Sequence, residues 1–233
     1  MAGERPVPSA PYLQTRASHT PEKSWIGAAA LAHLPNAGSV FISPGTTAYQ
    51  LAVRIPASDQ LRVVTNALEV ALYLASNRIA TVDLLGGTIR TDSLSSDLLL
   101  AEDDLEELYW DVTFMGAVAI DVSRGITTID RIAAQWERRL MEIPGKVVVL
   151  ADSSKIGKVS FARVAPVGHI DVLITDSGIS PALVERLVAE QVRVEVVGPP
   201  EARPSSEEAT GVQDSTVEGP GRGDWVTLSG DQA

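Results

Sequence analysis

The sequence of 233 residues contains no cysteine, and this absence excludes disulfide frameworks, thiolate zinc sites and thiol nucleophiles. Histidine is also scarce. The three histidines, His19, His33 and His169, lie too far apart along the chain to show the spacing of a metal-ligand set. We therefore expect no metal site and no cofactor.

Long apolar runs and an excess of positive charge are missing as well. No segment approaches the ~20 apolar residues of a membrane span, and the first residues, MAGERPVPSAPY, lack the apolar core of a signal peptide. The sequence therefore predicts a cytoplasmic protein without membrane contact. The formal charge of −11 argues against direct contact with nucleic acid, because that affinity depends largely on a basic face.

The residues that are present suit a folded domain followed by a tail. Hydrophobic residues make up 45% of the chain and charged residues 21%, which is enough apolar material for a core. From Gly198 onward, Pro, Gly, Ser and acidic residues continue without an apolar period. We predict an N-terminal extension over 1–17, a folded domain over 18–197 and an acidic, Pro/Gly/Ser-rich disordered tail over 198–233.

Short apolar runs alternate with segments of helical period between the two predicted ends. Several runs are solid blocks of Val, Ile and Leu, which is typical of strands covered on both faces. The pattern predicts an α/β fold with a mostly parallel, Rossmann-like sheet and helices on both faces. Capping hydroxyls followed by proline predict helices that begin at Thr20 and Ser180. The predicted strands are 40–42, 61–65, 81–85, 111–115, 146–151, 171–175 and 192–197.

Small and polar residues follow the predicted strands. In a parallel sheet the carboxyl ends of the strands lie at one edge, where such folds bind ligands. Gly45-Thr46-Thr47, at a strand-to-helix turn, suits a phosphate or carboxylate, although it can equally be a helix cap. Asn66 ends a strand, where its amide can bind a ligand or cap the next helix.

Two further loops complete the predicted site. Gly86-Gly87 can approach a ligand through its backbone or can simply form a tight turn. Asp152 follows a fully apolar strand and precedes Lys155 by three residues, which places a hydroxyl-accepting carboxylate beside an ammonium, unless the loop is an ordinary exposed one. No catalytic residue stands out. The candidate ligand-binding residues are Gly45, Thr46, Thr47, Asn66, Gly86, Gly87, Asp152 and Lys155.

The order of these motifs resembles the effector-sensing domain of DeoR-type bacterial transcriptional repressors over about 11–197. The resemblance implies the fold of sugar-phosphate isomerases and CoA transferases, and the binding of a phosphorylated sugar or related anionic metabolite by the same eight residues. It also implies regulation by conformational or oligomeric change, in a homo-oligomer or a hetero-oligomer with related regulators. The motifs are Thr20-Pro21-Glu22-Lys23, SVFISPGTT, RVVTNAL, DLLGGTIR, GITT, VVVLADSSKIG and IDVLITD.

The chain departs from the family pattern in two respects. No basic recognition helix precedes Ser18, where family members carry a winged helix-turn-helix, so we expect no DNA-binding domain in this chain. Ser43-Pro44 replaces Asp-Ser, Ala133 and Glu137 replace a Glu and a Lys, and Leu98 replaces a glycine. These changes predict that the ligand specificity of the relatives is altered or lost.

Two other functions remain open on the same fold. One is a sugar-phosphate isomerase-like enzyme, for which Asp152 is the only obvious general base. Ala133, at the position where the family has Glu, weakens this hypothesis, and we expect no enzyme activity. The other is a ligand-independent partner that forms mixed oligomers with full-length repressors.

Overall fold

The computed structural model describes residues 12–98, 107–143 and 145–199. The predicted extension is described only from residue 12, and the predicted tail lies outside the described residues from 200 onward. The helices are α1 (Tyr12–Ala17), α2 (Thr20–Ala30), α3 (Thr46–Ala52), α4 (Leu68–Ser76), α5 (Arg131–Glu142) and α6 (Pro181–Ala189). The strands are β1 (Gly38–Ile42), β2 (Leu61–Thr65), β3 (Thr81–Leu84), β4 (Gly87–Arg90), β5 (Ser95–Leu98), β6 (Val112–Gly116), β7 (Ala119–Asp121), β8 (Gly125–Thr128), β9 (Lys146–Leu150), β10 (Ala162–Ala165), β11 (Val172–Asp176) and β12 (Arg193–Val197).

Seven strands form one parallel sheet in the order β12-β11-β9-β6-β1-β2-β3. They are the seven strands that the sequence predicts, and their ends agree with the prediction to within two residues. Counted along the chain within this sheet alone, the order is 3-2-1-4-5-6-7, which is the Rossmann arrangement with one strand added. The winding reverses between β1 and β6, so the switch point of the sheet lies between these two strands.

Helices cover both faces of this sheet, which confirms the predicted α/β fold. On one face, Ile26 of α2 and Leu51 of α3 belong to the same buried cluster as Val148 of β9. On the other face, Leu187 of α6 belongs to a second cluster with Val149. Because neighbouring residues of β9 enter different apolar layers, the strand needs apolar side chains at consecutive positions.

Two small sheets are absent from the sequence prediction. Strands β10, β8 and β7 form an antiparallel sheet, and β4 and β5 form a hairpin. Each of these strands has only three or four residues, which is too few to show an alternating pattern. Gly125 begins β8 with φ 82°, and a Cβ at this position would collide with the carbonyl oxygen of Ala165.

The two predicted helix starts have different outcomes. Ser180 caps α6 as predicted, since its hydroxyl oxygen accepts a hydrogen bond from the Leu183 amide at 3.4 Å. Thr20 does not cap α2, and this prediction is wrong. The cap position is His19, in a left-handed conformation with φ 52°, and the Thr20 hydroxyl donates backward to the carbonyl of Arg16 at 3.4 Å.

Candidate functional site

The carboxyl ends of the parallel strands lie along one edge of the sheet, here called the carboxyl edge. The register pairs Ile42, at the end of β1, with Thr65 of β2 and Phe114 of β6. Because neighbouring strands are ~4.8 Å apart, the loop that follows β9 lies about 10 Å from the end of β1. The polar segments that follow the predicted strands are therefore on the same edge.

The loop after β1 turns directly into α3 at Gly45. Gly45 has φ 137° and ψ 150°, a conformation that essentially only glycine adopts. A Cβ at this position would meet no atom within 4 Å, so open space lies beside the backbone. Thr46 and Thr47 follow in the first turn of α3, where the amide groups have no partner within the helix. Both threonines are buried.

Asp152 is almost fully buried and holds the next loop in shape. Its Oδ1 accepts hydrogen bonds from the Ser154 amide at 3.2 Å and from the Ser154 hydroxyl. These bonds close a short 3-10 turn that ends at Lys155, which is partly buried. Asp152 therefore caps the turn and Lys155 is its last residue.

Asp176, at the end of β11, supports the same turn from the other side. It accepts hydrogen bonds from the Ser153 amide at 2.6 Å and from the Ser153 hydroxyl at 2.8 Å. Burial acts to raise the pKa of Asp176, but the donors from Ser153 and the amide of Gly178 outweigh burial and lower that pKa. Asp176 is therefore a charged scaffold residue of the carboxyl edge.

Lys23 of α2 is a residue of this edge that the site prediction missed. It is 3% exposed, and its Nζ donates to the carbonyl of Ser18 at 2.7 Å and to the carbonyl of Thr15. Burial lowers the pKa of Lys23, whereas the charge of Asp152 raises it and the charge of Lys155 lowers it. The Lys23 ammonium therefore lies within the electrostatic reach of the predicted loop.

The helical period of the sequence could have indicated that Lys23 is buried. Ile26, Gly27 and Ala30 follow it at helical spacing, and all four residues lie on the buried face of α2. A lysine in the first turn of a helix is ordinarily exposed, so residue type alone does not indicate the burial of Lys23.

Asn66 flanks the switch point on the other side, after β2. Its Nδ2 donates to the carbonyl of Ser96 at 3.0 Å, and its Oδ1 is buried with no hydrogen-bond partner within the described residues. Asn66 does not cap α4, because the cap position is Ala67. The capping interpretation is therefore wrong, and the amide offers one unused acceptor.

Gly86 and Gly87 lie at the far end of the carboxyl edge. Both are exposed, and they follow β3, the last strand of the sheet. Gly87 pairs with Leu98 in the β4–β5 hairpin, so its backbone belongs to that hairpin. Four strand spacings separate β3 from β9, or about 19 Å. The structure brings the other six predicted residues closer to the switch point than these two glycines.

Residues 18–177 match the family model of the DeoR C-terminal sensor domain. The chain belongs to this family. It is 31% identical to the HTH-type transcriptional regulator YulB of Bacillus subtilis over 176 residues. This aligned region covers 76% of this chain and 68% of that protein. It is 33% identical over 165 residues to the HTH-type transcriptional regulator GlpR of Haloferax volcanii, which covers 71% of this chain and 64% of that protein. The chain thus spans about two thirds of the length of these DeoR-family regulators.

A solved structure with a similar fold is ribose 5-phosphate isomerase A from Neisseria gonorrhoeae. The likeness has a TM-score of 0.42 and 17% identity, and it covers 58% of this chain and 53% of that chain.

Ser43, which departs from the DeoR pattern, lies at the switch point. Its hydroxyl oxygen accepts a hydrogen bond from the amide of Gly116 at 2.9 Å, and this bond joins the end of β1 to the end of β6. A Cβ on Gly116 would lie 3.6 Å from the carbonyl of Pro44, in ordinary contact. Ser43, which replaces the Asp of the expected pattern, therefore forms a neutral cross-link at the switch point.

Glu137, a second departure from the DeoR pattern, lies on the inner side of α5. Its Oε1 accepts a hydrogen bond from the Thr128 hydroxyl at 3.2 Å. Burial raises the pKa of Glu137 to about 7, the Thr128 bond opposes the rise, and the charge of Asp130 adds to it. Ala133 is partly buried on the same helix, and the side chain of Leu98 lies outside the described residues.

Other classes of site are not seen in the described part of the chain. No cluster of three potential metal ligands occurs there. Within the same ranges, no helix combines the length and apolar character needed to cross a bilayer. A groove of about 300 Å³ lies at the opposite, amino edge of the sheet, between Leu31, Pro56 and Leu61. It contains none of the predicted site residues.

Proposed function

We propose that the chain is a sensor that binds a phosphorylated sugar or a related anionic metabolite at the carboxyl edge. The observation that carries this proposal is the placement of two loops at the Rossmann switch point. The Gly45 loop and the Asp152 loop lie about 10 Å apart, which is the size of a small metabolite. Two ammonium groups, Lys23 and Lys155, supply positive charge in a molecule whose overall charge is −11.

The chemistry of the two loops suggests how such a ligand is held. Lys155 pairs with the anion, and the open backbone at Gly45 with the amides of Thr46 and Thr47 gives it hydrogen-bond donors. The carboxylate of Asp152 accepts hydroxyl hydrogens of the sugar. Asn66 Oδ1 gains the donor that it lacks.

Binding regulates the protein by shifting a conformational or oligomeric equilibrium. A ligand can shift such an equilibrium only through its difference in affinity for the two states. The regulator names of the relatives support this role over catalysis. Molar mass by light scattering, with and without ligand, distinguishes the oligomeric mode from the conformational one.

Binding is tested by measuring the thermal unfolding temperature of the protein with and without each compound. The compounds are pentose and hexose phosphates, the parent sugars and inorganic phosphate. At ~100 times the dissociation constant, a true ligand stabilises the fold by ~2.7 kcal/mol. We expect Lys155→Met to abolish the shift and Lys158→Met to leave it unchanged, because Lys158 is exposed on the same segment. No shift with any compound, or an equal loss in both variants, would count against the proposal.

The isomerase alternative has a separate readout. Turnover of a sugar phosphate by the wild-type chain, lost in Asp152→Asn, would replace the sensor proposal with an enzyme. Co-purification with a full-length repressor, without any response to metabolites, would instead favour the ligand-independent partner.

A further inference from the structure

The β4–β5 hairpin is bound to the turn that follows β2. The amide of Ser96 donates to the carbonyl of Asn66 at 2.9 Å, and the Asn66 side chain donates back to the carbonyl of Ser96 at 3.0 Å. At the tip of the hairpin, the amide of Leu68 donates to the carbonyl of Leu94 at 3.0 Å. The hairpin therefore lies directly against Asn66, a residue of the proposed site.

The tip of the hairpin is held in an unfavourable conformation. Leu94 has φ 51°, in the left-handed region that residues with a Cβ disfavour. Such a conformation persists only where the surroundings enforce it. The hydrogen bond from the Leu68 amide ends on the carbonyl of Leu94 itself, so lifting the tip would relieve this strain.

One side chain, Arg90 at the end of β4, ties the hairpin to a second element. Its Nη1 lies 3.1 Å from Oδ2 of Asp130, the cap residue of α5, whose Oδ1 accepts the amide of Ala133 at 2.7 Å. Its Nε and Nη2 donate to Asp92 at 3.3 and 3.1 Å, and its Nη1 lies 3.7 Å from Asp97 Oδ1. Of these three carboxylates, only that of Asp130 lies outside the hairpin. The pair of Arg90 and Asp130 is therefore the one that joins the hairpin to α5.

The ion pair of Arg90 and Asp130 lies at the carboxyl edge. Helix α5 runs from this edge to the amino edge, because β9, which follows it, begins at the amino edge. Leu140 of α5 belongs to one buried cluster with Phe41 of β1 and Val64 of β2, so the helix covers these strands. The Arg90 and Asp130 side chains are 24% and 34% exposed, and salt screens such a pair less than a fully exposed one. The hairpin is thus fixed at two places on the carboxyl edge, the end of β2 and the start of α5.

We propose that the β4–β5 hairpin is a strap over Asn66 and that the ion pair of Arg90 and Asp130 is its latch. Asn66 Oδ1 is buried and accepts no hydrogen bond within the described residues, so a metabolite reaches it only when the latch opens. Closure of the strap over the bound metabolite then slows its release. That Asn66 binds a metabolite rests on the proposed function, whereas the latch rests on the contacts of Arg90.

The first test needs no ligand. Hydrogen exchange of the Ser96 and Leu68 amides is measured in the full chain, because both amides bond across the contact between the hairpin and the turn. Asp130→Asn keeps a capping side chain and removes the charge. We expect it to accelerate this exchange by about 3- to 5-fold, the upper range for partly exposed ion pairs, without accelerating exchange in β9.

Asp92→Asn is the matched control, since it removes a charge from the same guanidinium within the hairpin and leaves the latch in place. It should not accelerate exchange of the two amides. In an Arg90→Gln background, Asp130→Asn should have no further effect. Unchanged exchange in Asp130→Asn, equal acceleration in both Asp→Asn variants, or acceleration that extends to β9 would overturn the latch.

The second test uses glucose 6-phosphate and ribose 5-phosphate as probes, with association and dissociation rates measured by surface plasmon resonance. Asp130→Asn should raise both rates by the same factor and leave the dissociation constant unchanged, because the latch controls access and does not touch the sugar phosphate. A probe that binds with unchanged rates overturns the strap alone. If neither probe binds, the proposed function loses support and hydrogen exchange still decides the latch.

Discussion

A single carboxyl group, Glu137, makes the stability of this domain depend on pH. The side chain is partly buried, and it accepts a hydrogen bond from the Thr128 hydroxyl. In the unfolded chain Glu137 ionises at its ordinary pKa of 4.5, and in the folded chain at about 7. The protonated form is therefore favoured by folding. This contribution is present below pH 4.5 and is lost as the pH rises to 7.

We predict that Glu137→Gln removes this pH dependence. The amide oxygen keeps an acceptor for Thr128, and no charge has to be buried. At pH 8 the variant should be more stable than the wild type by about 2 kcal/mol, after allowance for partial exposure, and at pH 4.5 the two should be equal. Urea unfolding at both pH values measures the difference. A gap of the same size at both would point to packing instead of ionisation.

The helices and strands differ in how clearly the sequence pattern predicts them. The seven strands of the main sheet were predicted because burial on both faces demands unbroken apolar runs. The short strands of the small sheets carry no such signal. The inner face of α4 is equally hard to read from the sequence. Leu72 is 70% exposed, whereas Val70, Ala71 and Leu74 are buried. In a helix that is apolar at nearly every position, the period does not identify the inner side.

The three-stranded sheet depends on Gly125. We predict that Gly125→Ala destabilises the domain by about 3 kcal/mol, because the residue has a positive φ and the new methyl group meets the backbone of Ala165. Gly86→Ala is the matched control, since a Cβ there meets no atom within 4 Å. Denaturant unfolding of both variants gives the comparison. Equal stabilities would mean that β8 can shift to accept a side chain.

Across the whole molecule, the two edges of the main sheet carry different chemistry. At the amino edge, His33 is nearly buried between two charged groups. Its Nε2 lies 3.0 Å from Glu195 Oε2 and its Nδ1 lies 2.8 Å from Lys146 Nζ. Lys146 is a donor only, so Nδ1 accepts, and Nε2 carries the hydrogen that Glu195 accepts. This arrangement fastens the segment after α2 to β9 and β12.

We predict that His33→Ala lowers the free energy of unfolding by about 2 kcal/mol, because both charged partners lose a hydrogen bond in a partly buried place. The thermal shift produced by a sugar phosphate should be unchanged, since the proposed ligand site is at the opposite edge. Urea unfolding gives the first quantity, and the metabolite panel gives the second. A lost thermal shift in a folded variant would show that the edges are not independent.

Sequence alone placed most of the candidate site but not its full charge. The loops of Gly45 and Asp152 follow strands, and a parallel sheet brings strand ends together whatever their distance in sequence. Lys23 belongs to α2, which packs on the sheet. Its position relative to the strand ends depends on how that helix packs, and the strand pattern of the sequence does not predict this packing. The Asn66 amide donates a hydrogen bond to the carbonyl of Ser96, in the β4–β5 hairpin. Because the sequence pattern does not predict this hairpin, it does not predict the hydrogen bond either.

The bond between Ser43 and Gly116 contains no ionisable group. Acidification does not protonate this bond, and the pair adds no fixed negative charge at the point where the order of the strands reverses. At this point of the sheet, a metabolite with two negative groups would face the Ser43 hydroxyl and peptide dipoles. A carboxylate at the same position would instead repel it.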